Sequence, residues 1–250
     1  MRRIVMLLLL MLAASGTARA AEMDLFVWRA EDLDAALAAR GGFTRVLMQY
    51  SSEGMPSDQL REAGLTLCLL DGGPAWSRSD MIDLVRKAAD LSISCAVLDC
   101  EGWYTRQSPT EARFKRFVDR IVATHEVAAV LGVRLSVCIP HWTEKISEEQ
   151  LERLIRDGCD EIIVMDYDDE KLIENLRTEA RLCERFGKTC QVALQIKPPK
   201  EGEESDESAY WAGGLPALRE VFERIRAAYG DKVGYSIHHA AYLADFLALE

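Results

Sequence analysis

Eight times after residue 24 the sequence passes from a short β-branched or apolar run into a longer stretch whose apolar residues recur three and four positions apart. Two strands lie parallel only when a crossover of about a dozen residues or more, usually a helix, carries the chain back to the starting end, so this alternation points to a parallel sheet. The short runs predict strands over 25–29, 44–50, 65–70, 95–101, 133–139, 161–167, 190–196 and 232–238. The intervening segments carry helix signals. Ser108-Pro109-Thr110-Glu111 reads as a capping box with Pro at the first helical position, and Phe114, Phe117, Val118, Ile121 and His125 then share one face. Ser147 with Gln150 opens the next helix, Leu151, Leu154 and Ile155 form its buried stripe, and Gly158 is placed to close it in the left-handed conformation. Leu172, Leu176, Ala180 and Cys183 lead to a stop at Gly187, and Leu218, Val221, Phe222 and Ile225 mark the last long helix. The expected architecture is α/β, a single (β/α)8 TIM barrel over residues 21–250. An open doubly wound sheet would want a Gly-rich phosphate loop after the first strand, where Trp28-Arg29-Ala30-Glu31 stands instead.

Residues 1–20 read as a signal peptide. Arg2 and Arg3 precede the apolar run Ile4 to Ala14, and Ala18-Arg19-Ala20 is the small-x-small pattern of a cleavage site, so the mature chain is expected to start at Ala21 and to be periplasmic or secreted. The run is short of the roughly 20 residues that span a bilayer, so no membrane insertion of the mature chain is expected. No Cys follows it, which argues against a lipid anchor. The formal net charge is −11, and removing the leader with its three arginines makes it −14. Such a balance argues against nucleic acid and anionic membrane partners. Seven cysteines in an oxidising compartment leave at least one free or bonded to another molecule.

In a barrel of this kind functional groups project from the C-terminal ends of the strands. On the fourth predicted strand alternation puts Cys95, Val97, Asp99 and Glu101 on one face, so two carboxylates would meet at the barrel mouth. Close like charges raise the pKa of one of them and keep a proton available for general acid work, with Asp99 orienting and tuning Glu101. The competing reading has Glu101 capping a turn or paired with an arginine. Trp103 favours a site, because an aromatic ring beside carboxylates suits the apolar face of a sugar. At the sixth strand Met165 and Tyr167 share a face, with Asp166 and Asp168 beside them, and a phenol there can donate to an oxygen that gains charge. Asp169 and Glu170 read as the acidic first turn of the next helix.

Met165-Asp166-Tyr167-Asp168 resembles the Met-x-Tyr-Asp signature of family 18 glycoside hydrolases, the chitinase-like barrels. Leu98-Asp99-Cys100-Glu101 is similar to the end of that family's DGxDxDxE motif, and Leu70-Asp71-Gly72-Gly73 to its SxGG. Ser94 and Val97 stand where the family has earlier aspartates, Leu70 replaces the Ser, and Tyr235-Ser236-Ile237-His238-His239 lacks the Trp usual on strand eight. The resemblance implies a substrate-assisted retaining hydrolysis: Glu101 protonates the glycosidic oxygen, Asp99 holds and polarises the substrate's acetamide, and Tyr167 with Asp168 supports the cyclic intermediate. Loss of the relay aspartate and of the strand-eight Trp puts an N-acetyl substrate in question.

His141, His238 and His239 sit at strand ends, and with Asp99 and Glu101 they contain the ligand types for a metal, as in a deacetylase or another metal-dependent hydrolase. The spacing is not that of a metal motif, and adjacent histidines on a strand point to opposite faces, so neither metal nor cofactor is expected. His125 reads as a packing residue. Cys183 and Cys190 flank a helix-to-strand connection and have the placement for a disulfide, while Cys68, Cys95 and Cys138 read as small core hydrophobes. Lys197 to Ser208 reads as a long loop at the active face. The sequence thus predicts an exported glycosidase that acts on a carbohydrate with Glu101, Asp99, Tyr167 and Asp168 as its catalytic set and Trp103, Met165, His141, Trp142, Tyr235, His239 and Gln49 lining the substrate site. A non-catalytic carbohydrate-binding barrel is the alternative of a different class.

Overall fold

The structure, a computed structural model, describes residues 23–38, 42–51, 54–72, 77–105, 108–167, 170–199 and 209–249. The strands are β1 (Met23–Val27), β2 (Arg45–Gln49), β3 (Thr66–Gly72), β4 (Cys95–Asp99), β5 (Arg134–Pro140), β6 (Glu161–Met165), β7 (Thr189–Gln195) and β8 (Val233–His238). They close in sequence order into a parallel barrel. Each predicted strand is present, with its ends displaced by at most two residues. Between them run α1 (Leu33–Ala38), α2 (Ser57–Glu62), α3 (Arg78–Asp90), α4 (Glu111–Leu131), α5 (Glu148–Arg153), α6 (Leu172–Asn175), α7 (Arg177–Phe186), α8 (Ala209–Tyr229) and α9 (Leu243–Phe246).

By contact density the chain forms two compact units. The first comprises the described residues up to Leu67, those of 166–174 and those from Val192 onward, the second the described residues of Cys68–Met165 and Asn175–Gln191. In the first, β1 pairs in parallel with β2 and with β8. Asp24 and Arg45, opposite one another in the β1–β2 register, are buried and form a two-pronged ion pair, with Arg45 Nε 2.9 Å from Asp24 Oδ1. A charge at that depth is tolerated because its partner supplies both oxygens. In the second, β4 lies between β3 and β5, and β5 pairs with β6. All five residues of β4 are buried, as expected of a strand covered on both sides.

The helices cover the barrel through the predicted apolar faces. On α4, Phe114, Phe117, Val118 and Ile121 are buried, each worth about 1.5–3 kcal/mol relative to exposure. His125 is a packing residue, as its position predicts: its ring nitrogens lie 2.9 Å from the Asp157 carbonyl and 3.3 Å from Asp160 Oδ1, and Asp160 also accepts from the Leu135 amide at 2.9 Å. Burial raises the Asp160 carboxyl, but these hydrogen bonds outweigh it and bring it down to about 2. Two helix signals are corrected. The N-cap of α4 is Thr110, whose hydroxyl accepts from the Arg113 amide, and Ser108 lies outside the helix. Glu111, the first helical residue, instead accepts from Ser147, the N-cap of α5, at 3.0 Å. Gly158 ends a π-helical turn over Leu154–Gly158 without a left-handed φ. Its reason is space, since a Cβ there would lie 3.1 Å from Leu154 and 3.2 Å from Ile121. Gly187 does close α7 at φ 64°. The described cysteines are all free thiols; Cys183 and Cys190 do not form a disulfide, and the Cys183 thiol donates to the Thr189 carbonyl at 3.6 Å. Among the described residues no helix is long and apolar enough to cross a membrane.

Candidate functional site

The second unit holds the carboxylates. β4 ends at Asp99, Cys100 leaves the strand, and Glu101 opens a 3-10 turn, Glu101–Trp103. The strand alternation that would align Asp99 with Glu101 therefore stops before Glu101. Asp99 is 5% exposed, and its Oδ1 has no hydrogen-bond partner among the described residues. Burial, and then the charge of Glu101, push its carboxyl up to about 7, so near neutrality Asp99 shares its time between acid and carboxylate. Glu101 is half-buried, and its carbonyl is tied by the Thr105 hydroxyl and amide, each at 3.0 Å, which fixes the turn while leaving the carboxylate uncommitted. No ion pair holds either carboxylate among the described residues. Asp71, near the end of β3 and opposite Leu98 in the β3–β4 register, is a third carboxyl whose pKa is raised by burial. The thiol of Cys100 is pushed well up by burial and by Asp99, which leaves it unreactive.

Trp103 is half-buried in this turn. Its ring stacks on Phe114 and Phe117 of α4, with centroids at 4.9 and 5.6 Å, so it anchors the turn to the helix. Trp142, in the turn after β5, packs against Trp103 at 5.9 Å and edge-on to Tyr104 at 5.3 Å. His141, just before it, and Met165, the last residue of β6, are half-buried.

The first unit holds an aromatic group at the ends of β1 and β8. The Trp28 indole N–H donates to His238 Nε2 at 2.9 Å, with the rings edge to face. Because an indole nitrogen only donates, Nε2 is the acceptor and the His238 proton sits on Nδ1, which is buried without a partner among the described residues. Burial, then His239 and Lys197, depress His238 to about 3, so it is neutral at physiological pH. Tyr167 stacks on His238 at 6.3 Å. β8 stops at His238, and His239 caps the next turn, its Nδ1 accepting from the Ala241 amide at 3.3 Å. The alternation expected of adjacent histidines therefore does not hold: their rings meet edge to face at 5.4 Å, across a cis peptide bond.

Of the residues singled out in the sequence, Asp99 and Glu101 are neighbours on one unit, Trp103 and Trp142 are in contact beside them, and Tyr167 and His239 join the aromatic group on the other. Gln49 is half-buried at the end of β2. Tyr235 is withdrawn from the set: it is 4% exposed, its hydroxyl donates to the Phe222 carbonyl at 3.1 Å and its ring packs on Phe222 at 4.3 Å, so it faces α8. Asp168, Gly73 and residues 200–208 lie outside the described residues. Sequence reasoning passed over Trp28 as a binding residue, and its one signal was an aromatic residue just past a strand end. Among the described residues no group of His, Cys, Asp and Glu has the arrangement to hold a metal. A surface depression of about 410 Å³ is lined by Glu148, Glu149, Glu152, Arg153 and Arg156 of α5 and the turn after it, none of them among the residues singled out in the sequence.

No protein-family model matches the sequence, and no curated protein matches it. The fold is shared with solved structures. The spore cortex-lytic enzyme SleL of Bacillus megaterium QM B1551 superposes with a TM-score of 0.59 at 9% identity, over 91% of this chain and 73% of that one. A chitinase from Chromobacterium violaceum gives 0.56 at 13% identity, over 92% and 100%. The deoxyribose phosphate aldolase of Aeropyrum pernix gives 0.55 at 14%, over 99% of both chains. At such identities the likeness is one of architecture: the chain is a (β/α)8 barrel.

Proposed function

We propose that this barrel is an exported glycoside hydrolase, with Glu101 as the general acid and Asp99 as its partner. The observation that carries the proposal is the buried carboxyl of Asp99, poised near neutral pH beside a half-buried Glu101 that no ion pair occupies among the described residues. An acid and a carboxylate held at one strand end are what protonation of a glycosidic oxygen and stabilisation of the charge left behind require. The structural likeness to a chitinase and a cortex-lytic enzyme agrees with this reading, although an aldolase shares the barrel as well.

In the proposed mechanism Glu101 delivers its proton to the departing oxygen. Asp99 orients the substrate's acetamide carbonyl, which attacks the anomeric carbon as the glycosidic C–O bond breaks; water then opens the cyclic intermediate and returns a proton to Glu101. The signal peptide expected from the sequence of residues 1–20 supports a site of action outside the cytoplasm, where glycans of walls and matrices are found.

The test is mass spectrometry of products from chitin oligomers, peptidoglycan glycans and neutral and acidic polysaccharide fragments, comparing the parent with Glu101→Gln. Cleavage by the parent should fall by about 10²- to 10⁴-fold in the variant. A parent that folds and cleaves none of these glycans overturns the proposal.

A further inference from the structure

On the first unit, outside the carboxylate group, Trp28 is a half-buried indole immediately beyond β1. Three features hold it in one orientation. Its N–H is spent on His238 Nε2 at 2.9 Å, its ring lies near-parallel to Phe26 at 6.1 Å with an interplanar angle of 22°, and the His238 ring stands at 84° to it with centroids 5.7 Å apart. Phe26 in turn meets His238 at 5.2 Å with the ring planes at 78°, so both aromatic rings contact the imidazole. Trp103 on the other unit is half-buried as well, but its indole nitrogen has no hydrogen-bond partner among the described residues, whereas Trp28 keeps a partly open ring whose polar atom is already satisfied within the protein. An indole so arranged has only its π-face to offer, and the ligand that suits a π-face is a ring with an apolar C–H side.

We infer that Trp28 is the aromatic platform of a sugar-binding subsite that takes an uncharged pyranose ring, and that His238 is the positioning residue that locks the platform through the indole N–H. This rests on the reading of the chain as a glycan-processing barrel. Burial depresses both His238 and His239, so neither imidazole presents a cation to a carboxylate, and the cation within electrostatic reach of both is Lys197. The Arg29 guanidinium is already paired with Asp32 and Glu31.

The experiment measures binding of neutral chitin oligosaccharides to the full chain in the Glu101→Gln background, by calorimetry and by the indole N–H resonance of Trp28, which is assigned through Trp28→Phe. Trp28→Ala should weaken binding roughly three- to tenfold, and Trp28→Phe by less. His238→Gln places a carbonyl where Nε2 was and should retain both binding and the shifted indole resonance; His238→Leu, of similar bulk, should lose both while the chain stays folded. Unchanged affinity in folded Trp28→Ala, or a Trp28 resonance that the oligosaccharide does not move, overturns the subsite while leaving the hydrolase reading intact. Equal losses in His238→Gln and His238→Leu with the resonance unmoved overturn the positioning role. A parent that binds and cleaves no glycan overturns both readings together.

Discussion

Asp99 pays for its position in stability. In the unfolded chain its carboxyl ionises near 3.9, whereas burial beside Glu101 holds it at about 7 in the folded one. The folded state therefore takes up a proton between about pH 4 and pH 7, and stability falls as pH rises through that window, reaching its full cost above pH 7. Three units correspond to an upper bound of about 4 kcal/mol. Asp99→Asn removes a charge the site cannot solvate, so it should raise the melting temperature by several degrees at pH 8 and hardly at all at pH 4, as followed by thermal unfolding with circular dichroism. Equal shifts at the two pH values would sink this account. The same residue shows why the site was only partly legible in the sequence. A carboxylate at a strand end is visible as a pattern, but the loss of solvent that raises its pKa comes from residues distant in the chain. Tyr235 shows the converse: alternation along β8 could not tell that its hydroxyl is taken by Phe222 of α8, nor could any local pattern pair Trp28 with His238, which is 210 residues away.

At the scale of elements the strands were legible and their ends were not. Parallel strands covered on both faces read as apolar runs, and every such run became a strand. The predicted runs nevertheless overshot β1, β4 and β6 at the C-terminal end, because aromatic and acidic residues at the rim continue the alternation after the ladder hydrogen bonds have stopped. Helix starts were legible only in part: Ser147 is the N-cap the sequence predicts, but Ser108 and Thr110 both have cap chemistry, and only the backbone path selects Thr110. Thr110→Ala should therefore cost about 1 kcal/mol in chemical denaturation, while Ser108→Ala changes it within error. Gly158 belongs to packing and not to a turn. Gly158→Ala forces a methyl to within 3.1–3.2 Å of Leu154 and Ile121 and should cost about 1–3 kcal/mol. A mutant as stable as the parent would show that the π-turn yields at no expense.

For the whole molecule the governing quantity is charge. A formal −11 on 250 residues surrounds the barrel with a negative field that repels polyanions over roughly a Debye length, about 10 Å at 0.1 M salt and about 30 Å at 0.01 M. Among glycans of equal length, then, uronic-acid polymers should be poor ligands at low ionic strength and improve as salt is added, whereas neutral oligosaccharides should be indifferent to it. Rates of product formation, or affinities in the Glu101→Gln background, measured from about 0.01 M to about 0.3 M salt separate the two. A polyanion whose binding weakens with added salt would mean that a local cationic patch outweighs the net charge, and would turn attention to Lys197, which lies close enough to His238 and His239 to lower both of their pKa values. A neutral glycan insensitive to salt, together with a polyanion that salt assists, would place substrate choice with the uncharged aromatic surface and the whole-molecule field acting in the same direction.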